Sequence, residues 1–254
     1  MNNILDYPLR VFVISFGAML LTGWIGAQIA RRRIIEADLR EDFGLVQTAT
    51  LTLLGLIIGF TFSMALTRYD QRKNYEAAEA NAIGTEFVRA DLLPPADAAK
   101  VRALLLSYVD QRVLFYAIHD EEELREVGAR TAKLQAQLWA AVRIPVLAQP
   151  TPVAALVVDG MNDVLNSQGY TQAAWWNRIP VGAWSLMAAI ALCANLLVGL
   201  GAKDPAREVK MLLVLPLVAA IAFFLIADID SPRLGSIHVQ PQNLLSLAQS
   251  LRTP

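Results

Sequence analysis

The residues of this 254-residue sequence that could do chemistry are poorly placed for catalysis. His119 and His238 are far apart, and neither has a cysteine or a second histidine at the spacing a transition-metal site needs. Glu122 and Glu123 follow His119, but they read as a solvated acidic helix start, with Asp120 and Glu123 at capping-box spacing. Asp42-Phe43-Gly44 imitates a kinase magnesium triplet without the Gly-rich loop that must precede it. Gly199-Leu200-Gly201-Ala202-Lys203 lacks the outer spacing and the hydroxyl of a phosphate loop. The single cysteine, Cys193, lies in an apolar run and reads as a small buried hydrophobe. No enzymatic activity and no resident cofactor are expected.

Oxygen-bearing side chains are more suggestive. Asp228 and Asp230 stand two residues apart, a pattern that suits a hard cation such as calcium or pairing with Arg233 or another helix's arginine. Thr52, Leu56, Phe60 and Ser63 recur at helical spacing on one face of an uncharged stretch. Around a pore axis, apolar residues so placed make a constriction that gates by dewetting; otherwise they face lipid or a neighbouring helix. Farther along, Glu76 shares a face with Glu79, and Glu79 with Glu86. Repeated about a symmetry axis they would form charged rings of a vestibule. The alternative is a solvated, salt-bridged surface, with Arg72 and Glu76 as an i,i+4 pair.

The elements that must position these groups follow from composition. Hydrophobic residues make up 55% and charged residues 18%, and the mean hydropathy is +0.41. An ordinary soluble domain carries about 25% charged residues, so the composition is that of a membrane protein. A net charge of −1 excludes the basic excess of nucleic-acid binders. Val11 to Ala30 is a 20-residue uncharged run, longer than a signal-peptide core and read as a retained span. Phe43 to Thr67 is a second, of 25 residues, enough to cross roughly 30 Å of hydrocarbon at about 1.5 Å per residue. No proline interrupts the sequence from there to Leu93, so the same helix is expected to continue into water.

Residues 68–178 hold 26 of the 45 charges and are read as a helical soluble body. Pro94-Pro95 ends the long helix. A second body helix is expected over 97–118, with Val101, Leu104, Leu105, Tyr108, Phe115 and Ile118 apolar; a third starts at Asp120 with Leu124, Val127, Leu134, Leu138 and Val142. Pro145, Pro150 and Pro152 mark a loop, and a short helix over 153–168 puts Asp159, Asn162, Asp163 and Asn166 on one polar face. A third span runs from Ile179 to Ala202, carrying Asn195, which needs a hydrogen-bond partner in the bundle. A fourth runs from Met211 to Ala227 with Pro216 inside, and exits into an acidic turn and an amphipathic tail with Leu244, Leu245, Leu247, Ala248 and Leu251. Gly55 and Gly59 form a GxxxG pair, suited to close packing within one subunit or between subunits. The fold class is all-α: four membrane spans with a long helix extending from the second into a helical soluble layer. The domains are 1–67 (spans one and two), 68–178 (body), 179–227 (spans three and four) and 228–254 (interfacial loop and tail).

Four spans put both termini on the side of the body. The connectors on the other side carry Arg31, Arg32, Arg33, Arg40, Lys203, Arg207 and Lys210. With the long body discounted, only Arg10 and Arg233 oppose them, which places the body outside the cytoplasm.

The stretch GFTFSMALTRYDQRKNYEAAEANAIGTEFVRADLLP resembles the signature of the bacterial bestrophin-like family, and DIDSPRLGSIHV resembles its second hallmark. More distantly, Gly59-Phe60 followed by Leu66-Thr67-Arg68 is similar to the pore-helix motif of the bestrophins proper. The resemblance implies a homo-oligomeric ion channel of the inner membrane, a pentamer, conducting mostly anions through a hydrophobic neck on the second span. Phe60 then matches a neck aromatic, with Leu56 and Thr52 one and two turns earlier; Thr52 departs from the apolar pattern, which implies a wider or wetter neck. The family also implies a cytosolic body, against the charge bias, so sidedness stays open. The segment with Asp228 and Asp230 is similar in place to the bestrophin calcium-binding segment but much shorter. Expected partners are copies of the chain, the lipid bilayer and inorganic ions, with no nucleic acid. The alternative function is a non-conducting scaffold or sensor that binds a partner through its soluble helices.

Overall fold

The computed structural model describes residues 4–32, 37–202 and 209–252. Of the residues on which the charge bias rests, Arg33, Lys203 and Arg207 lie outside the described residues, as does Lys203 of the second chance motif, while Arg40, Asp42 and Lys210 are described only as parts of their helices. Eight α-helices are described: α1 Pro8–Arg32, α2 Ala37–Arg89, α3 Pro95–Ala117, α4 Glu121–Ala148, α5 Pro152–Trp176, α6 Val181–Gly201, α7 Val209–Asp230 and α8 Gln242–Ser250. No strand occurs among the described residues. Among the described residues, four helical stretches are long and apolar enough to cross a membrane: Pro8–Arg32, Phe43–Leu92, Pro152–Gly201 and Leu213–Asp230.

Helix boundaries follow local chemistry. Asp120 caps α4 by accepting from the amides of Glu122 (2.8 Å) and Glu123 (3.0 Å), which hold its carboxyl below the usual range. Thr151 caps α5 by accepting from Ala154 N at 3.0 Å, with Pro152 pre-set at the first helical position. α2 is one helix of 53 residues, about 80 Å at 1.5 Å per residue. It tightens into a 3₁₀ turn, Ala90–Leu92, and stops where Leu93 turns extended ahead of Pro94.

Three sequence expectations need correction. Pro145 does not open a loop: it lies inside α4, in its last turn, where a missing amide forfeits a single backbone bond. The connection to α5 shrinks to residues 149–151, and α5 runs 25 residues to Trp176 rather than stopping near 168. Asp228 and Asp230 belong to the last turn of α7 and not to a loop, and Pro216 sits inside the same helix.

The chain divides into two compact units, residues 1–69 with 178–238, and 70–177 with 239–254. The segment 228–254, read above as one piece, is therefore divided between them. In the first unit α1 packs on α6 and α7. Met19, Met187, Ala191, Ala194, Ala220, Phe223 and Ile226 are buried there, with Leu54 and Ala65 of α2. Glycines make the α1–α6 crossing: a Cβ on Gly26 would lie 2.3 Å from Leu196 O, and one on Gly199 2.1 Å from Gly23 O. Gly55 and Gly59, by contrast, have nothing within 4 Å of a Cβ position, so the GxxxG pair does not pack within the subunit. Asn195 donates its amide to Ala191 O of its own helix at 2.8 Å. Cys193 is exposed, contrary to its expected burial.

In the second unit α3 packs on α4, α4 on α5, and α8 on α3. Val101, Leu105, Tyr108, Val109 and Phe115 of α3 are buried, as are Val127, Leu138 and Val142 of α4 and Val157, Met161 and Val164 of α5. Leu104, Ile118, Leu124 and Leu134 reach only intermediate burial. Asp159, Asn162, Asp163 and Asn166 lie together on the exposed face of α5, as the pattern predicts. Leu244 and Ala248 bury the inner side of α8, while Leu245 stays 44% exposed.

Candidate functional site: the two faces of the long helix

α2 has two faces of opposite character. Its buried stripe comprises Leu54, Thr61 and Ala65, then Arg72, Glu76, Glu79, Ile83 and Glu86, and continues to Ala90 in the turn that follows; Ala80 beside it is buried as well. From Arg72 onward the stripe alternates at spacings of four and three, the repeat of a helix seam packed on its neighbours. The opposite face is uncovered. Thr52, Leu56, Phe60 and Ser63 are all exposed, Phe60 to 62%, and the same register continues through exposed Thr67, Asp70, Asn74, Ala78, Asn81, Thr85 and Val88.

Glu76, Glu79 and Glu86 therefore stand neither on an open vestibule face nor on a solvated surface. Each is at most 1% exposed. Glu79 accepts from Arg112 of α3, through Nε to Oε1 and through Nη2 to Oε2 at 3.3 Å, and from the Thr171 hydroxyl of α5 at 3.0 Å. The Arg112 guanidinium also stacks 4.6 Å above the Phe115 ring. Burial, and then the Glu79 charge, push the Tyr108 and Tyr116 phenols above their ordinary range. Glu76 accepts from Asn243 Nδ2 at 2.6 Å and from Leu244 N at 2.9 Å, so the carboxylate caps the start of α8. Arg72 is buried as well, its Nε donating to Ala174 O at 3.3 Å, so an exposed Arg72–Glu76 surface pair is not what forms.

Glu86 differs from its neighbours. Neither of its oxygens has a hydrogen-bond partner among the described residues. It lies against Gly160 of α5, where a Cβ would sit 2.1 Å from Oε2. Burial pushes its carboxyl up to about 8; Arg89 opposes the rise, and Asp163 and Asp159 add to it.

Asp228 and Asp230 are engaged from within the chain. Asp228 accepts from Ser236 N (2.7 Å), Ser236 Oγ and Ile237 N (2.9 Å), which ties the end of α7 to the loop after it. Asp230 accepts from Arg178 Nε at 3.0 Å and from Ile179 N at 3.2 Å, and Arg178 also donates to Asp6 at 2.7 Å. The arginine from another element is thus Arg178. No group of three or more metal-ligating side chains forms among the described residues, and the donors around both aspartates leave them better suited to fixing the loop than to holding a cation.

Sequence reasoning found the exposed residues of the apolar half of α2 but not their continuation past Thr67. The signal was present: the four-and-three spacing that links Thr52 to Ser63 runs unbroken to Val88. It also missed Arg112 and Thr171, the partners of Glu79.

Comparison with known proteins agrees with this architecture. The family model described as the Bestrophin-like domain matches residues 13–244. No curated protein shows significant sequence similarity to the chain. Among solved structures, the chain is similar to a bacterial bestrophin homologue from Klebsiella pneumoniae, with a TM-score of 0.65 at 13% identity over 96% of each chain. It is also similar to a mutant of a bacterial bestrophin homologue from that organism, with a TM-score of 0.66 at 12% identity over 96% of this chain and 94% of the other. At such identities the structural likeness speaks for the fold alone.

Proposed function

From the premise that this chain belongs to the bestrophin-like family, a family of multi-pass membrane proteins with a channel fold, we propose that it is a homo-oligomeric ion channel, a pentamer of the bacterial inner membrane, whose conduction path is lined by the exposed face of α2. The observation that carries this reading is the uncovered register Thr52, Leu56, Phe60, Ser63, opposite a buried seam on the same helix. A helix with a buried stripe from Leu54 to Glu86, yet bare on the opposite face from Thr52 to Val88, suits a place at an axis surrounded by copies of itself. Gly55 and Gly59 flank that bare face with no neighbour inside the subunit, which suits the close approach of an adjacent copy.

Phe60 and Leu56 then form the constriction, where apolar side chains expel water and so close the path to ions. Thr52 widens the hydroxyl-lined approach on one side, and Ser63 and Thr67 do so on the other. Passive conduction of this kind requires no catalytic residue. The family resemblance implies anions. The path offers them hydroxyls and amides but no cationic side chain, and its one ionisable group is Asp70. A ring of Asp70 carboxylates attracts cations and weakens any anion preference.

Planar-bilayer recording of the purified protein tests both points. Phe60→Ala is expected to raise unit conductance or open probability several-fold, and Asp70→Asn to move the reversal potential in a salt gradient toward the anion equilibrium value. Absence of current from wild type and from Phe60→Ala alike would instead favour the non-conducting scaffold.

A further inference from the structure

A second feature of the membrane unit is unrelated to the α2 face. Between the first halves of α1 and α6 lies an open apolar cavity of about 320 Å³, with Phe223 of α7 at its side. Small residues on both helices line it: Ala18 of α1 and Ala188 of α6 leave room that Ile14 and Trp184 border but do not fill. The polar groups among its lining side chains are Ser15, whose hydroxyl already donates to Phe12 O at 3.2 Å, Ser185 and the indole N–H of Trp184. Apolar side chains make up the rest of the lining. Ile4 and Leu5, from the turn before α1, also border the cavity and mark the end nearest the start of the span.

At that same end stands Arg10, in the first turn of α1 beside the lining residue Val11. It is exposed and stacks 4.0 Å above the Tyr7 ring. Asp6 and Asp230 are both committed to Arg178, and no carboxylate pairs with Arg10 among the described residues. From Arg10 to Ala18 is eight residues, about 12 Å along the helix, which stays within one leaflet of a bilayer whose core is roughly 30 Å thick. A cation at the interface above an apolar slot within one leaflet matches the two parts of a phospholipid, an anionic phosphate and an acyl chain.

We propose that the α1–α6 cavity holds one acyl chain of an anionic phospholipid, whose phosphate pairs with Arg10. Trp184, in the cavity wall and only 7% exposed, is the natural reporter. The test uses the full-length protein in nanodiscs with Trp24, Trp139, Trp175 and Trp176 replaced by Phe. Brominated-chain phosphatidylglycerol is titrated against brominated-chain phosphatidylcholine, and Trp184 fluorescence is read.

The expected result is quenching that saturates at a low fraction of brominated phosphatidylglycerol, at several-fold lower lipid than with phosphatidylcholine. Ala188→Phe, which fills the slot, reduces quenching to the level set by bulk lipid, and Arg10→Gln removes the headgroup preference. Quenching that rises in simple proportion to brominated lipid and ignores Ala188→Phe would overturn the proposal. So would the lack of any headgroup preference. Loss of the oligomer in Ala188→Phe without prior quenching would assign the slot to a neighbouring copy of the chain, again overturning it. Should the single-tryptophan protein fail to fold, native mass spectrometry of the otherwise unmodified protein decides the matter: a retained phosphatidylglycerol that Ala188→Phe and Arg10→Gln release is expected, and equal retention in all three contradicts it.

Discussion

A carboxylate at zero exposure must find its counter-ion inside the protein, and Glu79 finds Arg112 and Thr171. Removing one member strands the other, which for buried pairs costs about 3–5 kcal/mol. Glu79→Ala is therefore expected to lower the thermal unfolding midpoint sharply, while the double variant Glu79→Leu with Arg112→Leu recovers most of the loss; light scattering or intrinsic fluorescence on heating reads both. Glu86 makes a different prediction. Its carboxyl titrates at about 8 in the fold against 4.5 as the ordinary value. Between those values the folded state holds a proton that the unfolded chain has released, so stability falls as pH rises from about 4.5 to about 8 and levels off above. Glu86→Gln is expected to flatten that slope in unfolding midpoints measured from pH 5 to 9, and an unchanged slope would contradict the assignment. The three glutamates were visible in the sequence, but their burial was not. Their partners are distant along the chain, Arg112 by 33 residues and Thr171 by 92 from Glu79, and no local pattern connects them.

At the scale of the element, α2 was legible because two independent signals agree over 53 residues: an uncharged stretch long enough for lipid, then a proline-free polar stretch. The α4–α5 region was less so. Three prolines within eight residues read as a loop, yet Pro145 in a last turn and Pro152 at a first turn are the positions a helix tolerates. Glycine spacing was equally incomplete as a guide. The motif Gly55-Gly59 drew notice by its spacing, while Gly26 and Gly199, on different helices, make the α1–α6 contact. Spacing along one helix cannot reveal which glycine meets another backbone. Gly26→Ala is expected to cost about 1–3 kcal/mol, because its Cβ would lie 2.3 Å from Leu196 O and no flexible side chain can yield. Gly17→Ala, in the same helix with nothing within 4 Å, is expected to be neutral or stabilising by up to about 1 kcal/mol. Unfolding midpoints of the two variants in one detergent compare them directly.

For the whole molecule, composition and four apolar stretches were enough to give an all-α membrane protein, and the signature residues were enough to give the family. What a single chain's sequence could not show is which face of α2 remains bare after folding, since that depends on which side chains its neighbours in each unit cover. The structure supplies it: Phe60 and its register lie opposite the seam of Arg72, Glu76, Glu79 and Glu86. The central claim is that this bare face surrounds an axis. Single-particle cryo-electron microscopy of the detergent-extracted protein tests it most directly. The account predicts a ring of copies around an open hole, narrowest at Phe60. A dimer, a ring whose centre is filled by another helix, or a ring in which Phe60 points outward to detergent would contradict it.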